Sequence, residues 1–201
     1  SIGGKNGINL GKRKNYLGTI YQADEILIDL SFLETLPEKR FEEGVAEIIK
    51  YGFLFGNPSL ERLRKGINPH DSDLQEIISE CAKTKMEVIE RDKNESGYRD
   101  VLNFGHTIGH SIELIYNLSH GEAISIGMVK ELELVGKMEE AENLKAILEN
   151  NRLPIEFPDN FNSEEVLELM KSDKKGTFVF SFGKENYNIK LNEGDVRNFL
   201  K

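Results

Sequence analysis

Three of the chain's four histidines, His106, His110 and His120, fall within the window 106–120. His106 and His110 are four residues apart and share one face of a helix. His120 lies in a predicted loop from which its ring could turn toward the other two. Imidazole is a good zinc ligand, and a catalytic zinc commonly takes three protein ligands and leaves one position open. The spacing therefore indicates a zinc site, and a helix with solvated histidines on its polar face is the alternative.

A carboxylate that could complete such a site is Glu47, which lies in the mostly apolar run 44–50. Glu47 and Lys50 are three residues apart and share a helix face. A charged pair among aliphatic side chains is either a surface salt bridge or part of an interior site, and the spacing leaves both open.

Two further features concern cations. Lys85 occupies a position that the apolar stripe of its helix would otherwise give to a hydrophobic side chain. Because an unpaired buried ammonium is costly, Lys85 either extends to solvent or serves a site. Residues 1–18 combine glycines and lysines, which predicts a loop suited to phosphate or, alternatively, a solvated basic loop.

The elements that must position these residues are mostly helical. Apolar spacing and end signals predict helices at about 38–55, 72–88, 101–117, 122–138, 144–150 and 163–171. A capping box is predicted at Ser72 and Gln75. The block 25–30 has the length of a strand, and alternation around 178–191 predicts a β-hairpin. The pattern is that of a mainly α chain.

Composition excludes several classes of protein. The 201 residues carry 26 Lys+Arg against 35 Asp+Glu, a formal charge of -9, and no basic run, which disfavours nucleic acid as a partner. No stretch approaches the roughly 18 apolar residues of a membrane span, so we expect no membrane partner. The single cysteine, Cys81, fits a reducing compartment, and we expect a cytoplasmic location. Because the chain starts at Ser1 without an initiator Met, we expect an N-terminal portion to be missing.

Several short motifs occur in one order along the chain. They are Gly-Gly-Lys at 3–5, Lys-Asn at 14–15, Thr-Leu-Pro at 35–37, Ala-Glu-Ile-Ile-Lys-Tyr-Gly at 46–52, Leu-Asn-Phe-Gly-His-Thr-Ile-Gly-His at 102–110 and His-Gly-Glu at 120–122. Each is weak alone, but in this order and spacing they resemble the 3-dehydroquinate synthase family of sugar-phosphate cyclases.

The resemblance implies a fold and a domain division. Residues 1–34 would be the C-terminal strand and loop remnant of an α/β NAD-binding domain. Residues 35–201 would be the helical metal- and substrate-binding domain, ending in a small β-hairpin. The N-terminal NAD-binding half would be missing, so we expect this chain to be inactive alone and to bind NAD weakly. The family also implies a homodimer.

The resemblance assigns roles residue by residue. Glu47, His106 and His120 would hold zinc or cobalt, and His110 would be catalytic and not a ligand. Substrate-contacting and catalytic positions would be Lys50, Lys85, Glu95, Arg99 and Asn103. Positions matching contacts to NAD or its neighbourhood are Lys5, Lys14, Asn15, Phe32, Leu33, Glu34 and Thr35.

The implied reaction converts 3-deoxy-D-arabino-heptulosonate 7-phosphate to 3-dehydroquinate and phosphate in the shikimate pathway. It would use transient oxidation by NAD, phosphate elimination, reduction and aldol closure. Within the superfamily, the alternatives are another sugar-phosphate cyclase of the 2-deoxy-scyllo-inosose synthase type and a metal-dependent alcohol or glycerol dehydrogenase. A non-catalytic helical domain that keeps the motif as structure is the alternative outside enzymes.

Overall fold

Eight α-helices and two antiparallel hairpins make up the part of the chain that the computed structural model describes, residues 2–10, 13–93, 97–174, 177–182 and 187–201. At 9, 13–16, 172–174, 177, 181–182 and 187–188 only the backbone is described. The helices are α1 (Glu38–Phe55), α2 (Leu60–Leu63), α3 (Leu74–Arg91), α4 (His106–Tyr116), α5 (His120–Leu134), α6 (Met138–Asn150), α7 (Ser163–Lys174) and α8 (Glu193–Leu200). The strands are β1 (Lys5–Leu10) paired with β2 (Arg13–Ile20), and β3 (Thr177–Phe182) paired with β4 (Tyr187–Asn192). The mainly α prediction is confirmed.

Helix α5 is the central element. It is buried along most of its length and packs against α4, α1 and α6. Met128 and Leu132 belong to a core shared with α1 and α6, whereas Ala123 and Ile126 face a second core built with α4, α7 and the C-terminal hairpin. Helix α5 is therefore held against α1 and α4 at once. None of the described helices is long and apolar enough to cross a membrane.

Helix α1 follows from its sequence. Phe41, Val45 and Ile49 are at most 7% exposed and form the apolar stripe that the spacing predicts. Gly56 ends the helix in the left-handed conformation, with φ of 77° and its N–H donating to the carbonyl of Gly52. The predicted helix at 38–55 is confirmed.

The predicted helix at 101–117 is wrong in its first turns. A 3₁₀ helix runs from Tyr98 to Asn103, and α4 begins only at His106. Gly105 separates them with φ of +79°, and a Cβ there would lie 2.4 Å from Met128 Cγ on α5. The close crossing of α5 therefore breaks the helix that apolar spacing alone extends.

The start of α5 also differs from the prediction. Ser119 and Glu122 form a capping box, in which the Glu122 N–H donates to Ser119 Oγ and the Ser119 N–H donates to the Glu122 carboxylate. The placement of His120 in a loop is wrong, because this capping box makes it the first residue of α5.

Other local predictions need correction. Residues 5–10 and 13–20 form the paired strands β1 and β2 and not a loop. The block 25–30 forms no strand within the described residues, and Leu27 is 89% exposed. The capping box at Ser72 is wrong, since Asp73 precedes α3 and its carboxylate pairs with Arg62. The C-terminal hairpin is confirmed, with Phe178 opposite Leu191.

The crossing of α4 and α5 supplies a stability prediction. A Cβ on Gly127 of α5 would lie 2.0 Å from the carbonyl oxygen of Gly105, a backbone atom that cannot swing aside. Gly127→Ala is expected to destabilise the chain by about 1–3 kcal/mol, as overpacking usually does. Denaturant unfolding followed by circular dichroism measures it.

Gly44 on α1 is the matched control, because a Cβ there would meet no atom within 4 Å. Gly44→Ala is expected to be neutral or to stabilise by up to about 1 kcal/mol, since alanine favours a helix more than glycine does. If both variants unfolded at the same denaturant concentration, the crossing would not be as tight as the structure has it.

Candidate metal centre and anion pocket

Three helices bring one carboxylate and two imidazoles together. Glu47 comes from the middle of α1, His106 from the first residue of α4 and His120 from the first residue of α5. Glu47 Oε1 lies 3.6 Å from His106 Nε2 and 3.6 Å from His120 Nε2. The three side chains could hold one metal ion. Atoms that share a tetrahedral ion at about 2.1 Å lie about 3.4 Å apart, so the observed spacing suits zinc-type coordination.

The second carboxylate oxygen of Glu47, Oε1, supports the fit of a metal ion between the three side chains. Oε2 pairs with Lys50 Nζ at 2.7 Å, whereas Oε1 is shielded from solvent and accepts no hydrogen bond from any described residue. A shielded carboxylate oxygen between two imidazole nitrogens is costly without a partner, and a divalent cation would supply one. Burial by itself raises the pKa of Glu47, but the Lys50 ammonium and the two histidines hold it well below its ordinary value.

His106 is prepared as a neutral ligand. Its Nδ1 lies 3.0 Å from the carbonyl oxygen of Phe104, which only accepts, so Nδ1 carries the proton and Nε2 keeps its lone pair. Burial and the nearby Lys50 ammonium lower the pKa of His106 to about 3. At neutral pH the ring is therefore uncharged, the form that binds a metal.

His120 is more open, with 44% of its side chain exposed. Its Nδ1 lies 3.1 Å from a carboxylate oxygen of Glu113 on α4. Its contact with Glu47 raises the pKa of His120, burial opposes this, and Glu113 adds to the rise.

Beside this centre lies a cavity of about 460 Å³ that gathers cationic and amide side chains. Those from the predicted substrate set are Lys50, Lys85, Arg99 and Asn103, and Lys5 also lines it. Burial lowers the pKa of Lys85. The Glu47 carboxylate raises it, and the neighbouring cations lower it further. The sequence predicts that Lys85 either extends to solvent or serves a site. Because its side chain lines this cavity, the structure favours a role in the site.

Arg99 is held at the cavity wall by its backbone and its side chain. It is 6% exposed, and its N–H donates to the buried carboxylate of Asp92 at 3.0 Å, as does the N–H of Gly97. Its Nη2 donates to the carbonyl oxygen of Gly3 at 3.1 Å. Gly3 therefore lies against the arginine of the cavity.

His110 lies next to the three-residue centre and not within it. Its ring centroid is 5.1 Å from that of His106 and 6.1 Å from that of His120, and the residue is exposed. It does not line the cavity described above. The residue spacing alone suggested His106 and His110 as a ligand pair, whereas the structure groups His106 with Glu47 and His120.

Among the predicted NAD-contacting residues whose side chains are described, only Lys5 lines the cavity. Phe32, Leu33, Glu34 and Thr35 lie on the 3₁₀ helix at Leu30–Thr35, away from the cavity lining, and Phe32 is 75% exposed. Lys14 and Asn15 belong to β2, but their side chains lie outside the description, and Glu95 lies outside the described residues.

Sequence reasoning missed several residues at this site. Tyr51 and Asp100 line the cavity, and Asp92 holds the backbone of Arg99. Glu131, 2% exposed on α5, accepts from the N–H groups of Gly105, Thr107 and Ile108 and so caps α4. Tyr51 directly follows Lys50 in the motif at 46–52, but Asp92 and Glu131 carry no local signal, because the N–H groups that they bind lie on other elements.

Comparisons with known proteins agree with this arrangement. Residues 44–176 match the 3-dehydroquinate synthase C-terminal family, and residues 1–43 match the 3-dehydroquinate synthase N-terminal family. The chain belongs to the 3-dehydroquinate synthase family. The resemblance drawn from the motifs is confirmed. The two matches meet at 43/44, and the predicted domain boundary at 34/35 stays a prediction.

Curated 3-dehydroquinate synthases are among the relatives. The one from Geobacter metallireducens is 38% identical over 94% of this chain and 57% of its own length. The one from Clostridium perfringens is 40% identical over 88% of this chain and 54% of its own length. The chain thus spans little more than half the length of these 3-dehydroquinate synthases.

Solved structures of related cyclases share the fold. A 2-deoxy-scyllo-inosose synthase complexed with carbaglucose-6-phosphate, NAD+ and Co2+ superposes with a TM-score of 0.76 at 20% identity, over 96% of this chain and 60% of that one. A 2-epi-5-epi-valiolone synthase from Streptomyces hygroscopicus with NAD+ and Zn2+ gives 0.79 at 22%, over 99% and 61%. The predicted dehydroquinate synthase-like fold is confirmed.

Proposed function

We propose that this chain is the metal- and substrate-binding part of a 3-dehydroquinate synthase. The observation that carries the proposal is a single cavity where Glu47, His106 and His120 meet the cations Lys50, Lys85 and Arg99. A metal set beside several cations suits a substrate with hydroxyl, carboxylate and phosphate groups. Such a substrate is 3-deoxy-D-arabino-heptulosonate 7-phosphate, which would be converted to 3-dehydroquinate and phosphate by a carbon–oxygen lyase reaction.

Glu47, His106 and His120 would hold zinc or cobalt. When bound, a divalent cation there would lower the pKa of a substrate hydroxyl and polarise the carbonyl formed from it. Lys50 would keep Glu47 ionised, because its ammonium pairs with Oε2 and also donates to the carbonyl of Leu102 at 2.8 Å. Because the Leu102 carbonyl holds the Lys50 ammonium in place, the ammonium in turn fixes the position of the Glu47 carboxylate on the cavity wall.

The remaining cavity residues would bind and orient the substrate. Lys85 and Arg99 would hold its anionic groups, and the largely buried surroundings strengthen these contacts because water screens them less. Asn103 would hydrogen bond to a hydroxyl. His110, next to the metal set but exposed, is proposed to exchange a proton between the substrate and solvent. Glu95 keeps its proposed catalytic role from family likeness alone.

NAD binding is proposed for the complete enzyme, since both solved cyclases contain NAD+ and this chain spans 57% of the Geobacter metallireducens relative. The hairpin β1–β2, with Lys5, Lys14 and Asn15, and the 3₁₀ helix at Leu30–Thr35 would add to a nucleotide-binding half that precedes them. A homodimer and a cytoplasmic location also stay predictions.

Another sugar-phosphate cyclase is the second candidate, because the solved structures with this fold include a 2-deoxy-scyllo-inosose synthase. That likeness is 20% in sequence, whereas curated 3-dehydroquinate synthases reach 38–40%. The relatives therefore favour the synthase over the cyclase alternative and over the alcohol or glycerol dehydrogenases.

Phosphate release tests the proposal. The chain is joined to an N-terminal nucleotide-binding segment from a 3-dehydroquinate synthase relative and assayed beside the unmodified chain. We expect release from 3-deoxy-D-arabino-heptulosonate 7-phosphate that requires both NAD and zinc or cobalt. The unmodified chain is expected to bind NAD weakly and to release no phosphate.

Two results would contradict the proposal. Release from glucose 6-phosphate and not from the heptulosonate would favour the cyclase alternative. Bound metal and NAD without release from either sugar would favour a non-catalytic domain.

A further inference from the structure

Glu113 lies one turn beyond His110 on α4 and faces the first residue of α5. Its Oε2 is 3.1 Å from Nδ1 of His120, and its side chain is 13% exposed. An ionised carboxylate only accepts hydrogen bonds, so Nδ1 of His120 carries a proton and donates a hydrogen bond to Glu113. Nε2 is then left with a lone pair, and it is Nε2 that lies 3.6 Å from Glu47 Oε1.

The two histidines of the metal set are thus oriented by different kinds of acceptor. His106 is held by the backbone carbonyl of Phe104, and only 16% of its side chain is exposed. His120 is 44% exposed and has less packing to fix its ring. The orientation of the His120 ring therefore depends on the Glu113 side chain, whereas a backbone carbonyl and burial fix the orientation of the His106 ring.

We propose that Glu113 is a positioning residue for the metal centre, which sets the tautomer and ring orientation of His120. This inference rests on the proposed function, since it takes Glu47, His106 and His120 as the metal ligands. A carboxylate on the far nitrogen of a metal-binding histidine also makes the ring a stronger donor. Because Glu113 and His106 share α4, the same helix provides one ligand and orients another.

Metal binding by the chain tests this without any enzyme assay. Zinc affinity is measured by competition with a chromophoric chelator, and the visible absorption of bound Co2+ reports on coordination. Glu113→Ala is expected to weaken zinc binding about 10- to 100-fold and to change the Co2+ spectrum. Glu113→Gln keeps an acceptor oxygen, so it is expected to recover the wild-type spectrum and most of the affinity.

The control is Glu149→Ala, which removes an exposed carboxylate on α6 and is expected to leave binding unchanged. Thermal unfolding in chelator shows whether each variant folds. If Glu113→Ala does not fold, the comparison of Glu113→Gln with wild type decides, and a Gln variant that loses the wild-type Co2+ spectrum overturns the proposal.

Two other outcomes would overturn it. His110, Glu113 and His120 are also close enough to share an ion. Two bound ions in wild type, of which Glu113→Ala loses one and keeps the other at full affinity, would make Glu113 a ligand. Unchanged zinc affinity in Glu113→Ala would remove the role altogether. If wild type itself binds no zinc, the proposed metal centre fails first, so the two failures are distinguishable.

Discussion

Glu47→Gln is expected to weaken zinc binding by at least 100-fold. The change replaces an anionic ligand with a neutral amide of the same size, in the space between His106 and His120. Residues outside the coordination sphere already alter affinity by about 10- to 100-fold, so the loss of a direct ligand should exceed that range. Competition with a chelator measures the affinity. The thermal shift on adding zinc is a second readout, since metal at 100 times Kd stabilises wild type by about 2.7 kcal/mol.

The control for this experiment is Glu38→Gln. Glu38 lies on the same helix, is exposed and pairs with Arg152 at the surface. Glu38→Gln should bind zinc as wild type does. A Glu47→Gln variant that is folded and keeps its zinc would show that the ion lies elsewhere.

The loss of charge at Glu47 also affects Lys50. Lys50 is 3% exposed, and in Glu47→Gln its buried ammonium loses the negative charge that it pairs with and keeps only neutral acceptors, such as the carbonyl of Leu102. The variant should therefore be less stable than wild type even in chelator. Comparing both proteins in chelator separates this loss from the loss of bound metal.

Glu131→Ala is expected to lower the free energy of unfolding by about 3–5 kcal/mol, because it removes a charged acceptor from three buried N–H groups. The Glu131 carboxylate accepts from Gly105 at 2.8 Å, from Thr107 at 2.9 Å and from Ile108 at 3.1 Å. Gly105 has no side chain to cap α4, so a residue of α5 caps it. Denaturant unfolding in chelator measures the change without a contribution from metal.

Two further variants serve as comparisons for Glu131→Ala. Glu131→Gln keeps one acceptor oxygen and should lose less stability than Glu131→Ala. Glu142→Ala, an exposed position on α6, should match wild type. A loss below about 1 kcal/mol for Glu131→Ala would show that the capping contact contributes no more than an average hydrogen bond.

Local patterns predicted the elements whose ends and faces depend on near neighbours. The helix at 38–55 follows from an apolar stripe and a glycine stop, and the C-terminal hairpin follows from alternating Phe178, Phe180 and Ile189. The ordered motifs around Glu47 and His106 predicted the family. Each of these signals lies within a few residues, where helix and strand periodicity determine which side chains are adjacent.

The predictions that were wrong concern segments whose structure depends on contacts with other elements. The helix at 101–117 is broken at Gly105 because α5 crosses there, and no residue near 105 shows that crossing in the sequence. The block 25–30 has the composition of a strand, but a strand forms only beside a partner, and the described residues place none there. Residues 5–10 and 13–20 form strands because β1 and β2 pair with each other, which their glycine and lysine content does not indicate.

The same division applies to the site. Helical spacing placed His106 and His110 on one face of α4, but it placed His120 in a loop, whereas the structure makes His120 the first residue of α5. The sequence left open whether Glu47 and Lys50 form a surface pair or an interior one. The packing of α1, α4 and α5 decided that Glu47 lies 3.6 Å from the Nε2 atoms of both His106 and His120. Spacing along one helix determines only which side chains are three or four residues apart, whereas a distance between helices depends on how their buried faces pack.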